Sequence, residues 1–191
     1  MIVCGLLAVL FFLQGLYYVY LIALPSEGSA ELLLDKLSGF ATFGFPMASL
    51  CAGIFLLKTK MRLPDQAARS LALVLGSLGI LFLAIGIYAV YFLWPDPQKT
   101  IDLMTIVSIF VGFLVYPIAV LLLPWIYMKR GDLRRNSTAQ MVPFVICLAV
   151  HMLQFILAVI WPFSEVLRFG GASLALLYSA VNFYNLRASV E

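Results

Sequence analysis

The chain has 191 residues, of which 64% are hydrophobic and 11% charged, and its formal net charge is +3. A soluble domain carries about 45–50% apolar and about 25% charged residues, so this composition excludes one. The small net charge gives no electrostatic footprint for nucleic acid, and no stretch is long or polar enough for a separate soluble domain.

Six apolar segments fill most of the chain, at about 2–24, 37–57, 71–94, 103–127, 141–163 and 166–185. A hydrocarbon layer about 30 Å thick needs about 20 residues of helix to cross it. The expected fold is therefore an all-α membrane protein with six transmembrane helices. Residues 1–191 form one polytopic domain built from tandem two-helix hairpins at about 2–57, 71–127 and 141–185.

The first segment, Ile2 to Leu24, carries Gln14, Tyr17 and Tyr20 and ends at Pro25. Gly28-Ser29-Ala30 resembles a signal-peptidase site, but a signal core spans only about 7–15 residues, so a retained span is expected. The second segment contains Pro46, expected to kink it, and the small-residue pairs Ala48–Ala52 and Ser49–Gly53. The third carries Tyr88 and Tyr91 and stops at Pro95, and the fourth contains Pro117, a second expected kink. The fifth bears Cys147, His151 and Gln154 at helical spacing, a polar stripe on one face that ends near Pro162. The sixth spaces Gly171, Ala175 and Ser179 by four and adds Asn182. Small residues at that spacing let helix backbones approach, here within the bundle.

Charge sorts by loop. Lys58, Lys60, Arg62, Arg69, Lys129, Arg130, Arg134, Arg135 and Arg187 lie in loops two and four and the tail. Only Lys36, Lys99 and Arg168 lie in or beside loops one, three and five, which carry Glu27, Glu31, Asp35, Asp96, Asp102 and Glu165. By the positive-inside rule, loops two and four and both termini are cytosolic, in a plasma or bacterial inner membrane. Asn136-Ser137-Thr138 matches a glycosylation acceptor but falls on the cytosolic side, where it would be silent. Arg134-Arg135-Asn136-Ser137 matches a basophilic kinase pattern.

An internal repeat emerges at an offset of 71. Gly15-Leu16-Tyr17-Tyr18-Val19-Tyr20-Leu21 returns as Gly86-Ile87-Tyr88-Ala89-Val90-Tyr91-Phe92. Phe11 maps to Phe82, Pro46 to Pro117, Ala48 to Ala119 and Lys58 to Lys129. The first two hairpins read as a duplication; Trp94-Pro95 and Trp161-Pro162 are a weaker echo in the third.

The chemistry-bearing residues are few. No Asp, Glu, Lys or Arg sits deep in a span, which counts against carboxylate-coupled transport. His151 is the only histidine, so one chain cannot supply two axial haem ligands, and Cys4, Cys51 and Cys147 form no metal-binding pair. No cofactor or metal is implied. An enzyme is not expected, because His151 has no nucleophile positioned for it and no H-E-x-x-H is present. Loop two lacks the Asp-Arg and Gly-Arg-Arg pattern of major-facilitator transporters, and the carrier motif Pro-x-Asp/Glu-x-x-Lys/Arg is absent.

Ligand or cavity candidates are His151, Gln154, Gln14, Asn182, Tyr17, Tyr20, Tyr88 and Tyr91. His151 is expected to bond across helices, to Gln14 or Asn182, and the tyrosine pairs to mark the interface or line an outward cavity. Two functions fit: a non-enzymatic sensing, anchoring or partner-binding module, or a small transporter or pore subunit. The bilayer is the first partner, and the basic loops 58–70 and 128–140 are the surface for a second one, cytosolic or membrane-bound.

Orientation is open to direct measurement. With the native cysteines replaced, Ser29→Cys, Gln98→Cys and Ser164→Cys should label with an impermeant thiol reagent in intact cells. Gln66→Cys and Ser137→Cys should not, and comparable labelling there would defeat the both-ends-inside arrangement.

Overall fold

A computed structural model describes residues 2–23, 44–92, 103–131, 133–158 and 164–187. The start of the expected second span, loops one and three, Pro25, Pro95, Pro162 and the acidic residues Glu27 to Asp35, Asp96 and Asp102 lie outside the described residues. The described fold is all-helical. Helix α1 spans Ile2–Ala23, α2 Phe45–Lys58, α3 Asp65–Phe92, α5 Ser137–Leu157 and α6 Ser164–Asn185. Helix α4 runs through Leu103–Phe110, a π-helical turn at Val111–Val115, and Tyr116–Lys129. Five of these helices are long and apolar enough to cross a membrane, while the described part of α2 has 14 residues.

Polar chemistry at the helix ends explains why several elements outrun the apolar segments. Helix α3 begins at Asp65, whose carboxylate sits in the first turn and pairs with Arg69 at 2.8 Å, one turn on. Helix α5 begins at Ser137 because Asn136 is its N-cap and accepts from Ala139 N–H at 2.9 Å. Hydropathy marks only the apolar stretch of each helix.

The C-terminus of α2 is closed by paired reverse bonds. Met61 N–H reaches Leu56 O at 3.2 Å and Lys60 N–H reaches Leu57 O at 3.2 Å, with Lys60 in the left-handed region at φ +54°. At the end of helix α4, Arg130 N–H reaches Tyr127 O at 3.2 Å and Gly131 follows in the left-handed region at φ +86°.

Proline acts differently at the two expected kinks. Pro46 stands in the first turn of described α2, where its missing N–H would have had no intrahelical partner. It therefore opens the described helix rather than bending it. Pro117 follows the π turn, where Tyr116 N–H bonds back to Val111 O. The widened turn makes room upstream of a ring that would otherwise collide with a carbonyl four residues earlier. Pro124 and Pro143 also lie inside helices α4 and α5.

Helix α6 is the centre of the bundle. It packs most extensively on α3 and also on α5, α2 and α4, whereas α1 packs mainly on α2. Small residues set the α3–α6 approach: a Cβ on Gly79 would lie 2.8 Å from Leu177 Cγ, and Ser173 donates to Gly79 O at 2.6 Å.

Some close approaches fall at positions 71 residues apart. In the first hairpin, an added Cβ on Gly15 of α1 would meet Phe45 of α2 at 3.0 Å. In the second, one on Gly86 of α3 would meet Tyr116 of α4. Phe45 and Tyr116 are themselves 71 apart, and each precedes the matched proline. The helices beyond them, Phe45–Lys58 and Tyr116–Lys129, both have 14 residues, and the left-handed Lys60 and Gly131 keep the offset. The surroundings differ, because α3 leans on α6 while α1 leans on α2.

At one end of the bundle, loops two and four close over α6. Arg134 donates through Nε and Nη2 to Asn185 O at 2.9 and 2.6 Å, and through Nη2 to Arg187 O at 2.8 Å. Leu63 N–H donates to Leu186 O at 2.9 Å. A guanidinium on the final carbonyls both satisfies orphan acceptors and opposes the negative end of the helix dipole. Because Gly131 shows that glycine is accommodated at this kind of helix end, Lys60→Gly should raise thermal or denaturant stability by about 1 kcal/mol. A loss of stability would mean that the lysine side chain itself holds the turn.

Candidate functional site

Two features stand out inside the bundle: a polar seam along α6 and an apolar crevice beside α1. The seam comes first because it contains most of the residues singled out by sequence. His151 is fully buried on α5, and its Nδ1 lies 2.7 Å from Cys147 O in its own helix. Since the carbonyl accepts, this bond assigns the proton to Nδ1. The ring is seated on Gly171 of α6, where an added Cβ would stand 2.4 Å from Cε1. The expected bond to Asn182 is not formed. Gly171 and Asn182 are 11 residues apart on one helix, roughly 16 Å along its axis. Gln14 is half-buried on α1, which packs principally against α2 and away from the α5–α6 pair.

Gln154, also fully buried, turns to Arg168 instead. With its amide oxygen facing the guanidinium, it accepts from Arg168 Nε at 2.9 Å and Nη2 at 3.2 Å. Arg168 lies four residues into α6, so a cation that the sequence assigned to the flank of loop five reaches into the bundle. This pairing escaped the sequence reading because it depends on which faces of α5 and α6 meet. The adjacent Gly170 and Gly171 were the available signal. They seat two large rings: Tyr116 of α4 packs against Gly170 and His151 of α5 against Gly171.

Farther along α6, Tyr127 of α4 donates to Asn182 Oδ1 at 2.8 Å and packs edge-on against Tyr178 at 5.1 Å. Ser49 of α2 and Ser179 of α6 bring their hydroxyls to 3.0 Å, and each also faces a carbonyl of its own helix. Most of these polar groups face one another or backbone, which is what a hydrocarbon setting demands of them. Among the described residues, the hydroxyl of Tyr116 and the Nδ2 of Asn182 are buried without a hydrogen-bond partner.

The crevice encloses about 570 Å3 and lies between α1, α2 and α3, with Leu176 of α6 at its floor. Ala8, Val9 and Phe12 line one wall, Phe45, Pro46, Ala48, Ser49 and Ala52 the second, and Leu75, Leu78 and Phe82 the third. Its lining is apolar, and Val9, Phe12 and Leu78 are exposed at its rim. Of the site and kink residues proposed from sequence, Pro46 alone lines it. The tyrosines Tyr17, Tyr20, Tyr88 and Tyr91 are 58–69% exposed on the outer surface of α1 and α3, outside this cavity. An amphipathic ring on the flank of an apolar helix is suited to a membrane–water boundary.

Comparisons of the chain with protein-family models, curated proteins and solved structures give no match. The apolar helices are compatible with a multi-pass membrane protein.

The seat of His151 yields a specific expectation. Gly171→Ala should lower stability by about 1–3 kcal/mol by overpacking the imidazole. Adding His151→Ala should recover part of that loss, because the colliding ring is then absent. Purely additive unfolding free energies in the four-member cycle would show that the two residues do not press on each other.

Proposed function

We propose that this protein is a non-enzymatic multi-pass membrane module that admits an apolar ligand, such as a lipid acyl chain, from the bilayer into the α1–α2–α3 crevice. The observation that carries this reading is the chemistry and position of the crevice. Its volume is within the about 300–1,000 Å3 of ordinary small-molecule sites. Its rim residues Val9, Phe12 and Leu78 sit on the flanks of apolar helices, so the surrounding solvent is hydrocarbon. A hydrated solute would lose its water shell there and gain almost no hydrogen bonds, at a cost of several kcal/mol for each polar group.

The neighbouring architecture supports a sensing role. Helix α1 is attached mainly through α2, so a chain entering beside it would bear on one peripheral contact rather than on the α6 core. The matched hairpins, which we take to be a duplication, supply two similar frames of which the second is braced by α6. The transporter or pore alternative draws less support. Most of the polar groups expected to line its path pair with one another or with backbone along the seam.

A photoreactive acyl-chain probe in reconstituted membranes tests the crevice. Crosslinks should concentrate on Phe12, Phe45 and Leu78, and Ala52→Trp should remove them while leaving thermal stability within a few degrees of the parent. Labelling spread evenly over exposed lipid-facing residues such as Phe110 and Ile118, or unchanged by Ala52→Trp, would overturn the reading.

A further inference from the structure

The end of the bundle where loops two and four meet α6 gathers cations without gathering counter-charges. Lys60, Arg62, Lys129 and Arg130 are exposed there and have no ion-pair partner among the described residues. Asp65, the only carboxylate among the described side chains, is already paired with Arg69. The sequence adds just Asp132 within these loops.

What holds the positive segments together is backbone. Arg134 grips Asn185 O and Arg187 O, and Leu63 N–H grips Leu186 O. Both basic loops are thus anchored on one helix end, where their like charges repel.

Two further observations give this end a direction. Lys129 Nζ lies 5.6 Å from the centroid of Trp125, and the Arg187 guanidinium lies 4.3 Å from that of Tyr184. Trp125 and Tyr184 are both exposed, and each sits about one turn farther into its helix than its cation. An aromatic ring at the boundary with a cation just beyond it places that cation at the level of lipid headgroups. Lys60, meanwhile, occupies a left-handed position that its counterpart 71 residues on fills with glycine. The fold accepts glycine at such a helix end, yet here it displays an ammonium in a conformation that favours glycine.

We infer that this face, built on Lys60, Arg62, Lys129 and Arg130, binds anionic lipid headgroups. The four residues lie near the anchors Leu63 and Arg134 in sequence without supplying those bonds, so they are available to phosphate oxygens while Arg134 maintains the cap. Guanidinium and ammonium groups bind such oxygens by charge-assisted hydrogen bonds. The site shares no residue with the lining of the apolar crevice and does not depend on it.

The test uses the purified full chain in a neutral detergent. Short-chain phosphatidylglycerol, the matching phosphatidylcholine and inorganic phosphate are titrated separately, with melting temperature and native mass spectrometry as readouts. Phosphatidylglycerol should raise the melting temperature and remain bound, the other two should not, and 0.5 M salt should suppress the effect in line with screening of exposed charges (about a 4 Å Debye length). The combined variant Lys60→Gln, Arg62→Gln, Lys129→Gln, Arg130→Gln should still fold and should bind the anionic lipid about tenfold or more weakly. Lys60→Gly alone provides a control against simple destabilisation: it should strengthen the fold while weakening lipid retention. Equal effects of the two lipids, an equal shift from inorganic phosphate, or undiminished binding by the combined variant would overturn the inference. Binding of a soluble oligoglutamate to the same four residues, with no preference among the lipids, would mark a protein-docking surface and overturn it as well.

Discussion

Burial of α6 is the constraint on which the rest of the structure depends. In a hydrocarbon setting, with which the apolar helices are compatible, a helix would gain little from simply hiding apolar surface, so close packing and interhelical hydrogen bonds would have to hold it. Helix α6 meets that demand on several sides. Its glycines seat the rings of Tyr116 and His151, Ser173 reaches the backbone of α3, Ser179 meets Ser49, and Asn182 receives Tyr127. Each contact uses a small or polar residue where a larger apolar one would keep the neighbour away. The positions of α2, α3, α4 and α5 follow from those contacts.

The same constraint explains the contrast between the seam and the crevice. Polar groups at the centre are drawn into pairs because an unpaired one is costly in a medium of low dielectric. Helix α1 lacks such a set of partners and rests mainly on α2, through the close approach of Gly15 to Phe45 and the neighbouring Phe12–Phe45 ring contact at 5.1 Å. Space therefore remains between α1 and α3 at the level of Phe12 and Leu78. The crevice thus lies beside the helix that rests mainly on one neighbour.

At the helix ends the chemistry changes. Side chains and turns can satisfy backbone groups that have no intrahelical partner there. Asn136 starts α5, left-handed residues stop α2 and α4, and Arg134 closes α6. The cap on α6 also joins loops two and four to the end of the chain's last helix. A charge asymmetry visible as a list of lysines and arginines thereby becomes one surface.

The sequence by itself determined the apolar composition, the helical class and the division of charge among the basic and acidic segments, because these depend on composition and on runs of neighbouring residues. It also carried the 71-residue offset, whose matched letters Gly15 and Gly86 take aromatic rings from Phe45 and Tyr116. It did not reveal that Pro46 begins a described helix while Pro117 follows a π turn, since that depends on backbone hydrogen bonds several residues upstream. Nor did it show which partners the polar residues take. Gln154 takes Arg168 and Asn182 takes Tyr127, because rotation and axial offset between helices decide which faces meet. The crevice belongs wholly to that second level: alanines, leucines and phenylalanines look alike in an apolar chain, and only the packing of three helices leaves a space among them.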